Sequence, residues 1–564
     1  MTRFLSPLLL TILVSPLITA QPSCAHNAPV VQEDTPQATS TSTGLIESGR
    51  ALFATGKALE AEALFAQAVE AEPNNFEARF WLIRSWITLA RINDSLNATD
   101  ELANQGQKGP AMDYLYGMAF HAKATGYLAS GVDGGTISMN FGDAVTFLKN
   151  ATSADAERFK DAFYPLAESA WHSQVVDVAL GAIEEAAKRD PMSAKTSFLQ
   201  GRILMARYTV AKTDGSTEAE VASFLKAGLA AFMKTTTTLG NPKDDPAKIS
   251  LMAQAWVQAA FCHAWNKSHA EISTAASNAL GWNPGDVDFT WVQSQMADNK
   301  ELIACLTEGG KQYASRYGTK DQGDATLRWW LGWAHFAERQ YPDAEREFTD
   351  AVTKFPTYVN CWFYIALSKY HQRDFDGAIV AFMTHWDRAP ENAIESLVAN
   401  KDMNLPILDF LIGQCALKGS NIEAGILSEM AAETAQKVDR LWNNVGLFYR
   451  DAGDGLIRSR KAAERDTAVD YYEKSWAGYQ RAIGLDPENP AYLNDGAVLL
   501  HYNLERDYDQ ALTMYSQATV NAERLLADEN LSKEKRELFR IALRDSKNNK
   551  ALLVKKMEKV TSGG

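Results

Sequence analysis

Residues 325–358, ATLRWWLGWAHFAERQYPDAEREFTDAVTKFPTY, are followed at once by residues 359–392, VNCWFYIALSKYHQRDFDGAIVAFMTHWDRAPEN. Laid one on the other at a spacing of 34, the two segments place like residues in like positions. Leu331, Gly332, Tyr341, Ala344, Phe348, Ala351 and Pro356 align with Ile365, Ala366, Phe375, Ala378, Phe382, His385 and Pro390. A period of this size is the mark of stacked helix pairs, each too small to bury its own apolar face without a neighbour. The expected fold is therefore all-α, a solenoid of antiparallel helix pairs.

The order of a Leu-Gly pair, Tyr, Ala, Phe, Ala and Pro resembles the tetratricopeptide repeat. Two positions depart from that pattern: Arg328 stands where a large apolar residue is usual, and His385 replaces the second Ala. The resemblance implies a superhelix whose first helices line a concave groove. It also implies a protein or peptide as the partner held there.

Working outward, the same offsets recur at Leu45, Gly49, Leu52, Gly56, Ala61, Phe65, Ala68 and Pro73, so the array begins near residue 45. The expected division is a repeat-like array over 45–240, an irregular helical segment over 241–324, the two clear repeats over 325–392 and a further array over 393–530. A basic capping helix and tail follow over 531–564. Turn formers cluster at residues 241–246, where a hinge between two halves is expected. The glycine-rich stretch 131–136 reads as an insert that lengthens an inter-helix loop, and 454–472 as an insertion that delays the second helix of its unit.

Residues 1–20 carry one basic residue, an apolar run broken by Pro7 and Pro16, and small residues at the end. That is the form of a secretory signal. Export to the periplasm or outside the cell is expected, with cleavage after Ala20. Cys24 leaves open a lipid anchor, and with it the only expected association with a membrane, although Gln21 and Pro22 fit a lipobox poorly. Residues 21–44, rich in Pro, Ser and Thr, lack apolar periodicity and read as a disordered linker.

Composition narrows the function. A net charge of −14 argues against nucleic acid, which demands a basic surface. The five cysteines show no metal-ligand spacing, and the four after Cys24 read as buried small hydrophobes rather than as disulfide partners. His263 and His269 are spaced to opposite faces if they share a helix. No phosphate loop, Gly-x-Ser-x-Gly or His-Glu-x-x-His is present. No catalytic residue, metal or cofactor is expected.

What remains is the surface of the two central first helices. At 100° per residue, Trp329, Trp333 and Phe336 share one face, while Leu331 lies on another. The resemblance implies that the Leu331 side packs within the repeat and that the Trp329 side faces the groove. The corresponding positions of the next repeat include Asn360, Phe363, Tyr370 and His371. Some cytosolic members of the family hold a peptide carboxylate there with Lys, Arg and Asn. Trp329, Trp333 and Phe363 replace such residues, so that mode is not expected in these repeats. Two readings of the rings stay open, a ligand-binding stripe or a packing layer between helices. A rival function is capture of a glycan or other small ligand, because aromatic rings also stack on sugars.

Overall fold

The computed structural model describes residues 41–319 and 321–562, and within them every regular element is a helix. The described residues form two compact units, one from the start of the first helix to 297 with 308–316 and one from 298–307 with those after 316, so that the helix Asn299–Tyr317 contributes to both. The stretch 241–246, expected to be a hinge, is instead the link between Glu218–Leu239 and Pro246–Trp265 inside the first unit. Asp245 caps the second of these helices through Lys248 N, and Pro246 occupies its first turn, where a missing N–H costs nothing. The signal-like residues 1–20, Cys24 and most of the 21–44 linker lie outside the described residues. The first helix, Ser42–Ala54, takes up the last three residues of that linker, with the Thr41 side chain accepting from Gly44 N.

In several pairs the turn is built the same way. At the end of Gln322–Ala337, Arg339 adopts φ 60° and Gln340 N donates to His335 O at 2.9 Å. Arg373, Gln174 and Ala90 repeat the left-handed residue, followed by Asp374 N to Lys369 O, Val175 N to Ala170 O and Arg91 N to Trp86 O. This is the Schellman closure, which satisfies a carbonyl that the helix end would otherwise leave bare.

The helices of a pair then meet at a small residue. A Cβ built on Gly332 would lie 3.0 Å from the Phe348 ring, and one on Gly201 or Gly446 would lie 2.5 Å from Phe232 or Tyr479. Phe348, Phe232 and Tyr479 are fully buried. Here glycine serves close approach between helices.

The two insertions do not form loops. Pro110–Ser130 and Gly134–Ala154 have 21 residues each, joined by a short turn at Gly131. Asp439–Leu456 and Ala462–Leu485 have 18 and 24, and Gly453 lies inside the first of them, where it makes room for the Tyr472 ring. The extra residues extend both helices of the pair, and the Gly446 to Tyr479 contact keeps its register. Beyond 392, a short helix Pro390–Ala399 precedes Lys401–Lys418 and Asn421–Thr434. His263 ends Pro246–Trp265 and His269 starts His269–Trp282, so the two histidines do not share a helix.

Each unit has its own apolar core. The largest cluster of the first includes Tyr114, Leu148, Phe159 and Ile183, and that of the second Phe348, Phe382, Leu427 and Tyr449. Cys262, Cys361 and Cys415 are buried, and burial pushes their thiols up to about 12, 12 and 11. Among the described residues no helix is long and apolar enough to cross a membrane, and no group of three potential metal ligands forms.

Candidate binding surface

Gln322–Ala337 and Cys361–His371 are the first helices of the two central pairs. Leu331, Gly332 and Ala334 are buried between the helices of their pair. Trp329, Trp333 and Phe336, on the other apolar face, are half-buried and packed against the core of the second unit.

These rings are held in place. Trp329 Nε1 donates to Asn360 Oδ1 at 3.1 Å, and its ring meets Tyr364 and Phe348 edge-on at 6.0 and 6.3 Å. Phe336 stands edge-on to Tyr341 and Tyr364, each at 5.6 Å. Trp333 has a looser setting, edge-on to Trp330 at 6.1 Å. Tyr370 is half-buried beside Phe375 and Phe410, and exposed His371 stacks on Tyr341 at 4.5 Å. Burial, with the charge of Arg339, lowers the pKa of His371. Phe363 differs from the rest. It is 7% exposed and packs on Phe382 and His385, so it supports the surface from beneath.

The two departures from the repeat pattern also acquire reasons. Arg328 Nη1 lies 2.6 Å from Glu347 Oε2 and its Nε 3.7 Å from Asp324 Oδ1, while Lys354 Nζ reaches Asp324 Oδ2 at 2.8 Å. Asp324 and Glu347 are 1% and 3% exposed, so a buried ionic network stands where an apolar residue is usual. His385, fully buried, pairs through Nε2 with Asn392 Oδ1 at 3.0 Å, and burial lowers its pKa.

Two other places hold chemistry. In the second unit a cleft of about 740 Å³ lies between Trp386, Arg388, Glu423, Glu429, Tyr449 and Lys474. In the first unit His121 Nδ1 lies 3.1 Å from Ser169 Oγ and its Nε2 3.3 Å from Glu168 Oε2. A serine, a histidine and a carboxylate in this order have the residue types of a nucleophile, its base and an orienting acid. Ser169 is 0% exposed in mid-helix, however, and no substrate carbonyl reaches it. The chain of hydrogen bonds is a way of satisfying buried polar groups.

The tetratricopeptide-repeat family matches residues 52–119 and residues 321–393. No curated protein matches the chain. Among solved structures, yeast Tom70 is 14% identical over 92% of this chain and 99% of its own, with a TM-score of 0.20. The apo form of RapI is 13% identical over 71% of this chain and 98% of its own, with a TM-score of 0.33. The C-terminal part of a repeat-containing protein from Cytophaga hutchinsonii is 11% identical over 56% and 99%, with a TM-score of 0.31. Likenesses with such low scores say nothing about how the surfaces of this chain are used. With repeat matches in both units and the fold of antiparallel helix pairs, the chain carries tetratricopeptide repeats in an all-α fold, of a kind that supports a scaffold for protein–protein interaction and is typically non-catalytic.

Proposed function

We propose that the chain is an exported scaffold that holds a peptide segment of a partner protein on the surface of the helices Gln322–Ala337 and Cys361–His371. Trp329, Trp333, Phe336 and Tyr370 supply the apolar anchors, and Asn360 and His371 the polar edge. The observation that carries the reading is that these four rings are half-buried and fixed by neighbouring rings, yet keep part of their surface open. Aromatic groups immobilised in advance lose little entropy when a ligand covers them, and such residues dominate binding energies. Capture of partners from envelope extract by the parent and by Trp333→Ala tests it. Equal capture by the two would overturn the anchor role.

A second reading, a glycan or small-ligand site, is favoured by the cleft at Trp386 and Tyr449, where a half-buried indole faces carboxylates and cations that are able to bond hydroxyls. A glycan array probed with the parent and with Trp386→Ala separates it from the first.

A further inference from the structure

The last helix, Lys533–Ser562, closes the second unit, and the outer face of such an element has to be polar if nothing is to cover it. Phe539, Ala542, Ser546 and Leu553 are buried and turn inward. Leu538, Ile541 and Leu552 are instead 46%, 40% and 53% exposed. At 100° per residue these three fall within about 60° of one another. They belong to a row of positions spaced alternately by four and three residues from Glu534 to Lys559, which is the spacing of a coiled-coil seam. Every member of the row is exposed except Asp545, which is half-buried. A second helix can therefore lie along it.

The order of side chains along the row selects that helix. The acids Glu534 and Asp545 come first, and the cations Lys555 and Lys559 come last. Leu538 and Ile541 are neighbours in the row, whereas Leu552 has only Asn548 and Lys555 beside it. An antiparallel copy of the same helix supplies what each end lacks. With the two-fold axis between positions 546 and 547, Ile541 faces Leu552 of the second copy, Leu538 takes the aliphatic stem of its Lys555, and Glu534 meets its Lys559. Beside the axis Asp545, ion-paired with Arg544 at 2.8 Å in its own helix, faces Asn548 of the second copy, whose side-chain amide donates to the carboxylate. A polar pair in the middle of a seam costs stability and fixes its register. Parallel helices would set Glu534 against Glu534 and Lys559 against Lys559, which is unfavourable, and would leave Leu552 apart from Ile541.

We infer that two copies of this chain pair through Lys533–Ser562, as an antiparallel two-fold seam. Sedimentation equilibrium of the full chain over a concentration series tests it. A monomer–dimer equilibrium is expected, and Leu552→Glu, at an exposed position, should raise its dissociation constant about tenfold with unchanged melting. Glu534→Lys and Lys559→Glu should each weaken pairing several-fold, and the double variant should restore it, because the exchange keeps opposite charges face to face only when the helices are antiparallel. On a Cys24→Ser background, an equal mixture of Ile541→Cys and Leu552→Cys chains should oxidise mainly to the mixed disulfide. Trp333→Ala should leave the dimer intact, so that the seam and the aromatic surface stand or fall separately. A chain that stays monomeric throughout, or a dimer that Leu552→Glu leaves unchanged, overturns the seam. Self-disulfides in excess, or a double charge exchange that restores nothing, overturn the antiparallel order. Binding of phosphatidylglycerol vesicles by a chain that stays monomeric, lost in Leu552→Glu, gives the face to an anionic membrane and overturns the pairing.

Discussion

Substituting Gly332 by Leu would test the register of the central repeat at its tightest point. A Cβ at this position would lie 3.0 to 3.1 Å from three atoms of the Phe348 ring, before the rest of the leucine is added. The ring has little room to yield: it is fully buried, stacked on Tyr364 at 5.0 Å and edge-on to Trp329 at 6.3 Å. Overpacking a well-filled contact costs about 1–3 kcal/mol, and the leucine interferes with its whole side chain, so about 3 kcal/mol applies. Replacing a mid-helix glycine returns somewhat under 1 kcal/mol in propensity. The expected net loss is about 2 kcal/mol. Urea unfolding followed by the fluorescence of Trp329, Trp330 and Trp333 should report it locally, since repeats couple only through their interfaces. Phe348→Val should partly rescue the variant, giving a coupling energy of about 1 kcal/mol in a double-mutant cycle. Unchanged stability, or strictly additive mutations, would refute the reasoning.

Arg328→Met should cost about 3 kcal/mol in the same assay, because it leaves Asp324 and Glu347 buried with fewer counter-charges; converting all three residues to apolar ones should recover most of the loss. Lowering the pH from 7 to 5 should destabilise the first unit. His121 and His172 sit at about 4 when folded against about 6.5 unfolded, so the unfolded chain takes up protons first and stability held above pH 6.5 falls by about 2 kcal/mol for each ring. Glu168, raised by burial, binds its proton more readily in the folded state and offsets part of that loss toward the acid end, while Arg202 adds to the lowering of His172. Denaturation at the two pH values checks the sign, and His172→Phe should shrink the difference. Protein purified from its own host should begin at Gln21 or at a lipidated Cys24; an N-terminus at Met1 would contradict export.

Much of the fold was legible in the spacing, and the reason is local. Gly332 against Phe348 is a constraint within one pair, and Ala366 and Phe382 stand at the same offsets in the next. The insertions were misread because turn formers were taken at face value. Gly134 and Gly135 instead sit in the first turn of a helix capped by Asp133, and Asp454 and Gly455 lie in the last turn of the long helix Asp439–Leu456. Likewise, turn formers at 241–246 could mark a link between helices but not whether units separate there. For the binding surface, the period identified the faces of Trp329, Trp333 and Phe336 but could not show that Phe363 sinks below them.

The claim that the central rings form a binding surface stands or falls with Trp333→Ala, measured for both unfolding and partner capture. Trp333 is half-buried with one ring neighbour among the described residues, so the account predicts a stability loss of about 1–2 kcal/mol, below the 3–5 kcal/mol of a core aromatic. Partner capture should fall at the same time by about thirtyfold, or about 2 kcal/mol. A loss of about 4 kcal/mol in stability with undiminished capture by the folded fraction would make the ring a packing element and contradict the account.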